Sequence, residues 1–274
     1  MKNLLIIGGD SRLMYLKTAM ERDGFNVNVF DGTAPLKSAL DASEAVILGL
    51  PASRDDKTVD APSLKEPVLI KDLFRMMGST KLLLAGKMSP SMKAVADVFS
   101  VRWVDYFAHE DFELLNAVPT CEGALQLAME ELPITLHGAN ALVIGYGRIG
   151  SLLARDLYFL GSKTKVVARR AQSRARANAE SIEAFDFSKL GELAASADVI
   201  FNTVPQCVMG RDVLANVKHA LIIDLASKPG GVDMEAARDF GVPVIWALGL
   251  PGKVAPVTAG EIIKKTICTI LNEI

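Results

Sequence analysis

Cysteine is nearly absent. Cys121, Cys207 and Cys268 are the only three in 274 residues, scattered and odd in number. Such a set builds no disulfide scaffold, and no Cys or His stands at metal-ligand spacing, so no metal site is expected and reduced thiols in a cytoplasm are. An excess of one charge is also missing. The 30 Lys and Arg against 32 Asp and Glu leave a net charge of -2, which removes the electrostatic case for nucleic acid or an anionic membrane. No apolar run reaches the roughly 20 residues of a membrane span. The opening Leu4-Leu5-Ile6-Ile7 is too short for a signal-peptide core and runs straight into glycine. Histidine is as scarce as cysteine. His137 precedes an expected strand, His219 closes an expected helix, and only His109 is placed to face a cleft. None follows residue 219, and no Ser-His-Asp order emerges. Tandem repeats and low-complexity segments are absent too.

What the chain does have is core. Half of it is hydrophobic, and its length suggests two domains of ordinary size. Short apolar runs at 4–7, 26–30, 45–48 and 81–85 alternate with helical patterns, the first reaching about Asp23 with Gly24 as its cap. A second series follows at 141–144, 164–168, 199–202, 221–225 and 244–247. Strands that alternate with helices imply parallel α/β sheets. The segment 51–67, with three prolines, reads as a loop over the carboxyl edge of the first sheet. Residues 120–132 read as a helix with Thr120 as N-cap, ended by Pro133.

The expected fold is therefore α/β, with two Rossmann-like parallel-sheet domains and a cleft between them. Residues 1–119 would form a flavodoxin- or Rossmann-like substrate domain, 120–135 a linking helix, and 136–257 the nucleotide-binding domain. The last helix, 258–274, would return to the first domain.

The strongest signal is Gly145-Tyr146-Gly147-Arg148-Ile149-Gly150, preceded by an apolar strand and followed by a helix at 151–160. A strand, a glycine turn and a helix N-terminus make an anion site. Free N–H groups and the positive helix end face a pyrophosphate, and missing side chains let it approach. In this context Gly-x-Gly-x-x-Gly is the dinucleotide fingerprint. An NAD site usually carries an acid at the end of the next strand. Here Arg169-Arg170 stand there, with Ser173 and Arg174 just beyond. Guanidiniums suit a 2′-phosphate, so NADP is favoured over NAD. The competing reading is an exposed basic helix start, since Arg176 continues the run.

Ligands in open α/β sheets bind outside the carboxyl ends of strands. Three such ends carry unusual residues: Asn202-Thr203-Val204-Pro205, Asp224-Leu225-Ala226-Ser227-Lys228-Pro229-Gly230-Gly231, and Gly249-Leu250-Pro251-Gly252-Lys253-Val254-Ala255-Pro256. Thr203, Val204 and Pro205 would lie near the nicotinamide ribose. Lys228 and Lys253 are candidates for binding carboxylates or developing negative charge, although lysines are usually solvated. Asp224 ends an apolar strand, which is costly unless it is paired; its bland role is a cap to the following turn. Gly8-Gly9-Asp10-Ser11-Arg12 looks like a weaker glycine turn that would hold a substrate carboxylate with Arg12, or simply joins strand to helix.

Longer blocks are more specific. Asn116-Ala117-Val118-Pro119-Thr120-Cys121-Glu122-Gly123-Ala124, the stretch from Met129 to Gly138, and the loops after Asp224 and Gly249 resemble the A subunits of dipicolinate synthases over nearly the whole chain. The resemblance implies an NADP-dependent oxidoreductase acting on a CH–CH group. It implies work in the mother-cell cytoplasm of a sporulating bacterium, on a late branch of the lysine pathway. The substrate would be dihydrodipicolinate or its hydroxytetrahydro precursor, and the partner a flavoprotein-like B subunit. It also implies kinship in fold with D-2-hydroxyacid and shikimate dehydrogenases.

That chemistry needs hydride loss from one carbon and proton loss from a neighbour, with aromatisation as driving force. A dianionic substrate needs cationic clamps, for which Arg12, Lys228 and Lys253 are the candidates, joined by Gly9, Asp10, Thr120 and Ser227. Glu122 or Asp224 would take the proton, and Lys228 would contact the carboxylate or the transition state. Two rivals stand beside this reading. A hydroxyacid or shikimate-type dehydrogenase usually needs a base such as histidine, and none follows the last strands. A non-catalytic NADP-binding regulatory protein would bind the nucleotide without turnover. The sequence leaves the oligomeric state open, a homo-oligomer included.

Overall fold

The computed structural model describes residues 2–274. Its chain divides into two compact units, Met1–Asn116 with Ala255–Ile274, and Ala117–Val254.

In the first unit, strands β1 (Asn3–Ile7), β2 (Asn26–Phe30), β3 (Ala45–Leu48), β4 (Leu82–Ala85) and β5 (Arg102–Asp105) form a parallel sheet in the order β2-β1-β3-β4-β5. Helices α1 (Ser11–Arg22), α2 (Leu36–Asp41), α3 (Ile70–Met77) and α4 (Pro90–Val98) connect them. The strand alternation sorts the core into two layers. Leu5, Ile7, Val46, Leu48 and Leu83 pack with Leu73 and Phe74 of α3 on one face. Leu4, Ile6, Ile47 and Leu84 pack with Leu13, Leu16 and Met20 of α1 on the other. Both faces are covered, which is why these strands read as unbroken apolar runs. Strand β5 escaped the sequence pattern because charges bracket its two apolar residues, as suits an edge strand.

Helix α5 (Glu110–Glu131) corrects the expected linker. It begins ten residues before Thr120, so Thr120 is an interior, buried helix residue and not an N-cap. Glu110, Asp111 and Glu113 fill its first turn, where acids complement the helix dipole. Pro119 sits inside the helix. There the proline removes one backbone N–H and costs a hydrogen bond without ending the element.

The second unit holds β6 (Asn140–Ile144), α6 (Arg148–Phe159), β7 (Lys163–Val167), α7 (Ala171–Ala179), β8 (Glu183–Phe185), α8 (Leu190–Ala194), β9 (Val199–Asn202), α9 (Arg211–Leu214), β10 (Leu221–Asp224), α10 (Met234–Asp239), β11 (Val244–Trp246) and α11 (Leu250–Val254). Its six strands run parallel in the order β11-β10-β9-β6-β7-β8. Counted from β6 this is the doubly wound dinucleotide-binding order, read from the far edge. The three-residue β8 was too short to stand out in the sequence.

The final helix, α12 (Pro256–Glu273), belongs to the first unit and lies along α1. Ile263, Ile267 and Ile270 complete the α1 side of that core. Gly260 makes the crossing close: a Cβ there would stand 2.7 Å from the Arg12 carbonyl.

Candidate active site

The carboxyl ends of five strands in the second unit are aligned. Ile144 pairs with Val167 and Asn202, Asn202 with Asp224, and Asp224 with Trp246. The glycine turn, the double-arginine turn and the loops 203–210 and 225–233 therefore emerge along one sheet edge.

Each fingerprint glycine has a separate task. Gly145 has φ +96°, and a Cβ would collide with Thr203 Oγ1. A Cβ at Gly150 would stand 2.2 Å from the Gly145 carbonyl, so this glycine lets α6 press onto the strand turn. Gly147 faces open space and is the N-cap of α6, with no side chain covering the helix end. Tight turn, open approach and close packing are what a pyrophosphate at a helix N-terminus requires. The helix begins at Arg148, inside the fingerprint, three residues before the sequence pattern placed it.

Around this turn, Thr203 donates from both its backbone N and its Oγ1 to the Ile144 carbonyl, each at 2.9 Å. Tyr146 is buried, and its hydroxyl donates to Glu180 at 3.0 Å. Burial and that carboxylate push the phenol up to about 12. Arg148 is exposed and Ile149 half-buried, its carbonyl accepting from the Cys121 thiol. That thiol is buried and pushed up to about 12, chiefly by burial, which makes it inert.

At the end of β7, Arg169 and Arg170 are both exposed. Arg169 reaches Gln206 at 2.9 Å, while Arg174 folds back onto the Ala168 and Arg169 carbonyls and braces the turn. Ser173 is half-buried in the first turn of α7. No acidic residue occupies the turn 168–170.

Three of the substrate or catalytic candidates have partners within the fold. Arg12 is not a free clamp. It is buried, with Nε 2.9 Å and Nη2 2.7 Å from the Asp10 carboxylate, and Nη2 also donates to the Leu50 carbonyl. Asp10 in turn caps α1 through the Arg12 amide. Burial alone would raise the Asp10 carboxyl, but Arg12 holds it below its usual value. Gly9 does not offer a free N–H, which goes to the Asp60 carbonyl at 2.7 Å. A side chain at Gly8 would strike Asp60 and Ala61, so the loop 51–67 closes this turn over. The Asp224 carboxylate is hydrogen-bonded within its own loop and to Asn202. It is 2 % exposed and accepts from Asn202 Nδ2 at 2.7 Å, the Ala226 amide at 3.0 Å and the Gly231 amide at 2.8 Å. It caps the turn that follows, which is the bland role its place at the end of an apolar strand allowed.

The remaining candidates divide. Ser227 and Lys228 are exposed at the tip of the loop after β10, and Lys253 is exposed in α11. Among the described residues neither lysine has an ion-pair partner. Glu122 is exposed on α5, where its charge, after burial, helps raise the Asp156 carboxyl of α6. His109 is half-buried, with a buried Nδ1 that has no hydrogen-bond partner among the described residues. Among the described residues no group of acids, cysteines and histidines forms a metal site, and no helix is long and apolar enough to cross a membrane. The strand-end pattern singled out Asn202 but not Trp246, whose Nε1 donates to the Ala226 carbonyl. A polar residue ending the apolar run Val199-Ile200-Phe201 was the signal for Asn202.

Two parallel sheets flanked by helices, one with this glycine turn, give the chain the fold of the dehydrogenase class, with a turn that fits a dinucleotide pyrophosphate. A family model of shikimate/quinate 5-dehydrogenases matches residues 126–243, and that of the N-terminal domain of the dipicolinate synthase A subunit matches 3–107. The A subunit of dipicolinate synthase from Bacillus subtilis (strain 168) is 30% identical over 285 residues, covering 99% of this chain and 96% of its own. The crystal structure of the Bacillus halodurans A subunit superposes with a TM-score of 0.91 at 30% identity, over 98% of this chain and 97% of that one. The crystal structure of the Bacillus subtilis A subunit gives 0.88 at 28% identity, over 98% and 95%. The chain belongs to the family of dipicolinate synthase A subunits.

Proposed function

We propose that this protein oxidises dihydrodipicolinate, or its hydroxytetrahydro precursor with loss of water, to dipicolinate with NADP, in the cytoplasm of a sporulating cell and together with a B subunit. The observation that carries the cofactor half is the uncapped, open N-terminus of α6 at Gly147, with Arg169 and Arg170 where an NAD site would place an acid. The substrate half rests on family membership.

When bound, the nicotinamide supplies a hydride acceptor. The chain's own residues do the rest. The α6 N-terminus and the amides of 147–150 hold the pyrophosphate, and Arg169 and Arg170 hold the 2′-phosphate. Thr203, Val204 and Pro205 line the ribose on the nicotinamide side. Lys228 and Lys253 meet the two substrate carboxylates, and Lys228 steadies the negative charge that develops next to a carboxylate as the ring proton leaves ahead of the hydride. With the Asp224 carboxylate committed to its loop, Glu122 is the remaining carboxylate candidate for the proton.

The test mixes the purified chain, with and without a B subunit, with NADP and freshly made dihydrodipicolinate precursor. Equal yields of NADPH and dipicolinate are expected. Tight NADPH binding with no turnover in either mixture would overturn the catalytic reading in favour of a regulatory, nucleotide-binding protein.

A further inference from the structure

Asn202 and Asp224 are polar residues at the ends of strands that are otherwise apolar, and both are buried. A valine or leucine at either place would pack without the cost of desolvating an amide and a carboxylate. The bonds they make show what the polar pair does. Asn202 Nδ2 donates to Asp224 Oδ1 at 2.7 Å and to the Val204 carbonyl at 3.0 Å, while its Oδ1 accepts from the Val204 amide at 3.1 Å. Asp224 accepts from the amides of Ala226 and Gly231, the two ends of the next loop. Trp246, the next residue along the same row, donates from Nε1 to the Ala226 carbonyl at 2.9 Å.

The loop is pressed onto this row. A Cβ at Gly231 would stand 2.0 Å from Asn202 Nδ2, and one at Gly230 would stand 3.1 Å from Asp224 Oδ2. The Gly231 carbonyl then accepts from the amides of Val208 and Met209, both at 3.0 Å, so the loops after β9 and β10 are tied into one body. Only Ser227, Lys228 and Pro229 stay exposed at its tip.

We propose that Asn202, Asp224 and Trp246 are positioning residues that fix Lys228 relative to the 203–205 loop, and that Asp224 acts on the reaction only through Lys228. This rests on the oxidoreductase reading above. Misplacing a reacting contact by about 1 Å can cost about 100-fold in rate. The pyrophosphate turn has its own supports at Gly145–Gly150 and Thr203, so it should be untouched.

The experiment is a double-mutant cycle on the full chain, with its B subunit if turnover needs one. Asp224→Asn and Lys228→Ala are each expected to lower kcat by about 10- to 100-fold, with the Kd for NADPH changed less than about threefold. The double variant should be no slower than the slower single one, because the two act as a unit. Multiplying effects, or a D224N enzyme with unchanged kcat, would overturn the proposal. Trp246→Phe, which removes one bond from the same loop, is the milder variant if D224N folds poorly, and the same non-additivity with K228A is expected. Amide hydrogen exchange gives a readout free of turnover. In D224N, residues 226–231 should exchange faster while 145–150 keep their protection. Unchanged exchange at 226–231 sinks the positioning role even if the wild-type chain proves inactive. An inactive wild type with faster exchange in D224N sinks the oxidoreductase reading and the catalytic half of this proposal, leaving only loop anchoring.

Discussion

At the scale of the residue, neighbours with the same chemistry have different duties. Arg169, Arg170 and Arg174 lie within six residues, yet the Arg174 side chain is spent on bracing backbone carbonyls while the Arg170 guanidinium, among the described residues, has no bond to hold it. A hydrogen bond to a charged group contributes about 1.5–3 kcal/mol, and about 1.4 kcal/mol is tenfold in affinity. Replacing Arg170 by Ala should therefore weaken NADPH binding about 10- to 100-fold and leave NADH nearly unchanged, as read by nucleotide fluorescence titration. Equal loss for both nucleotides would mean that the arginine serves the pyrophosphate and not the 2′-phosphate. The same scale separates Asp10–Arg12 from Lys228. The sequence pattern offered all three to the substrate, but of these three Lys228 alone, like Lys253 elsewhere, has no ion-pair partner among the described residues.

At the scale of the element, the join between β6 and α6 does two jobs that two substitutions can separate. Gly150→Ala places a methyl 2.2 Å from a backbone oxygen. Overpacking of this kind costs roughly 1–3 kcal/mol or more, so a lower Tm is expected. Gly147→Ala meets nothing within 4 Å and has φ -91°, which any residue adopts. It should fold like the parent and lose NADPH affinity, because the methyl stands where the phosphate approaches. A G147A chain that binds NADPH normally would remove the α6 N-terminus from the cofactor site. The start of α5 shows where element reading stops. Pro119 followed by Thr120 is a good local start signal, yet the helix begins at Glu110, where three acids and tertiary packing outweigh it.

At the scale of the molecule, α12 makes the first unit a discontinuous fold that needs the far end of the chain. Ile267 is fully buried against α1 and β1 residues. Ile267→Ala should cost about 2–5 kcal/mol in urea unfolding. A loss under about 1 kcal/mol would show that α12 is peripheral to this core. Stability should also depend on acid. The Asp55 carboxyl sits at about 2, held down by the amides of Thr58 and Lys57. Asp186 is lowered by Ser188, and Asp10 and Asp198 are lowered against the push of burial by Arg12 and by Asn140 with His219. Depressed carboxyls contribute stability that is whole above about pH 4 and lost as pH falls through their folded values. Asp156, raised by burial, offsets part of this. Tm should hold near neutrality and fall below roughly pH 4; a Tm that rises there would contradict the assignment. Much of this architecture was legible in the chain. Apolar run lengths, glycine spacing and the paired arginines depend on neighbours in sequence, so the alternating strands and the nucleotide turn could be read directly. Which polar residues are free to act could not. The carboxylate of Asp224, the guanidinium of Arg12 and the amide of Gly9 are taken up by Gly231, Leu50 and Asp60. Those partners arrive through the register of separate strands and the path of long loops, and only the folded chain brings them within hydrogen-bond distance.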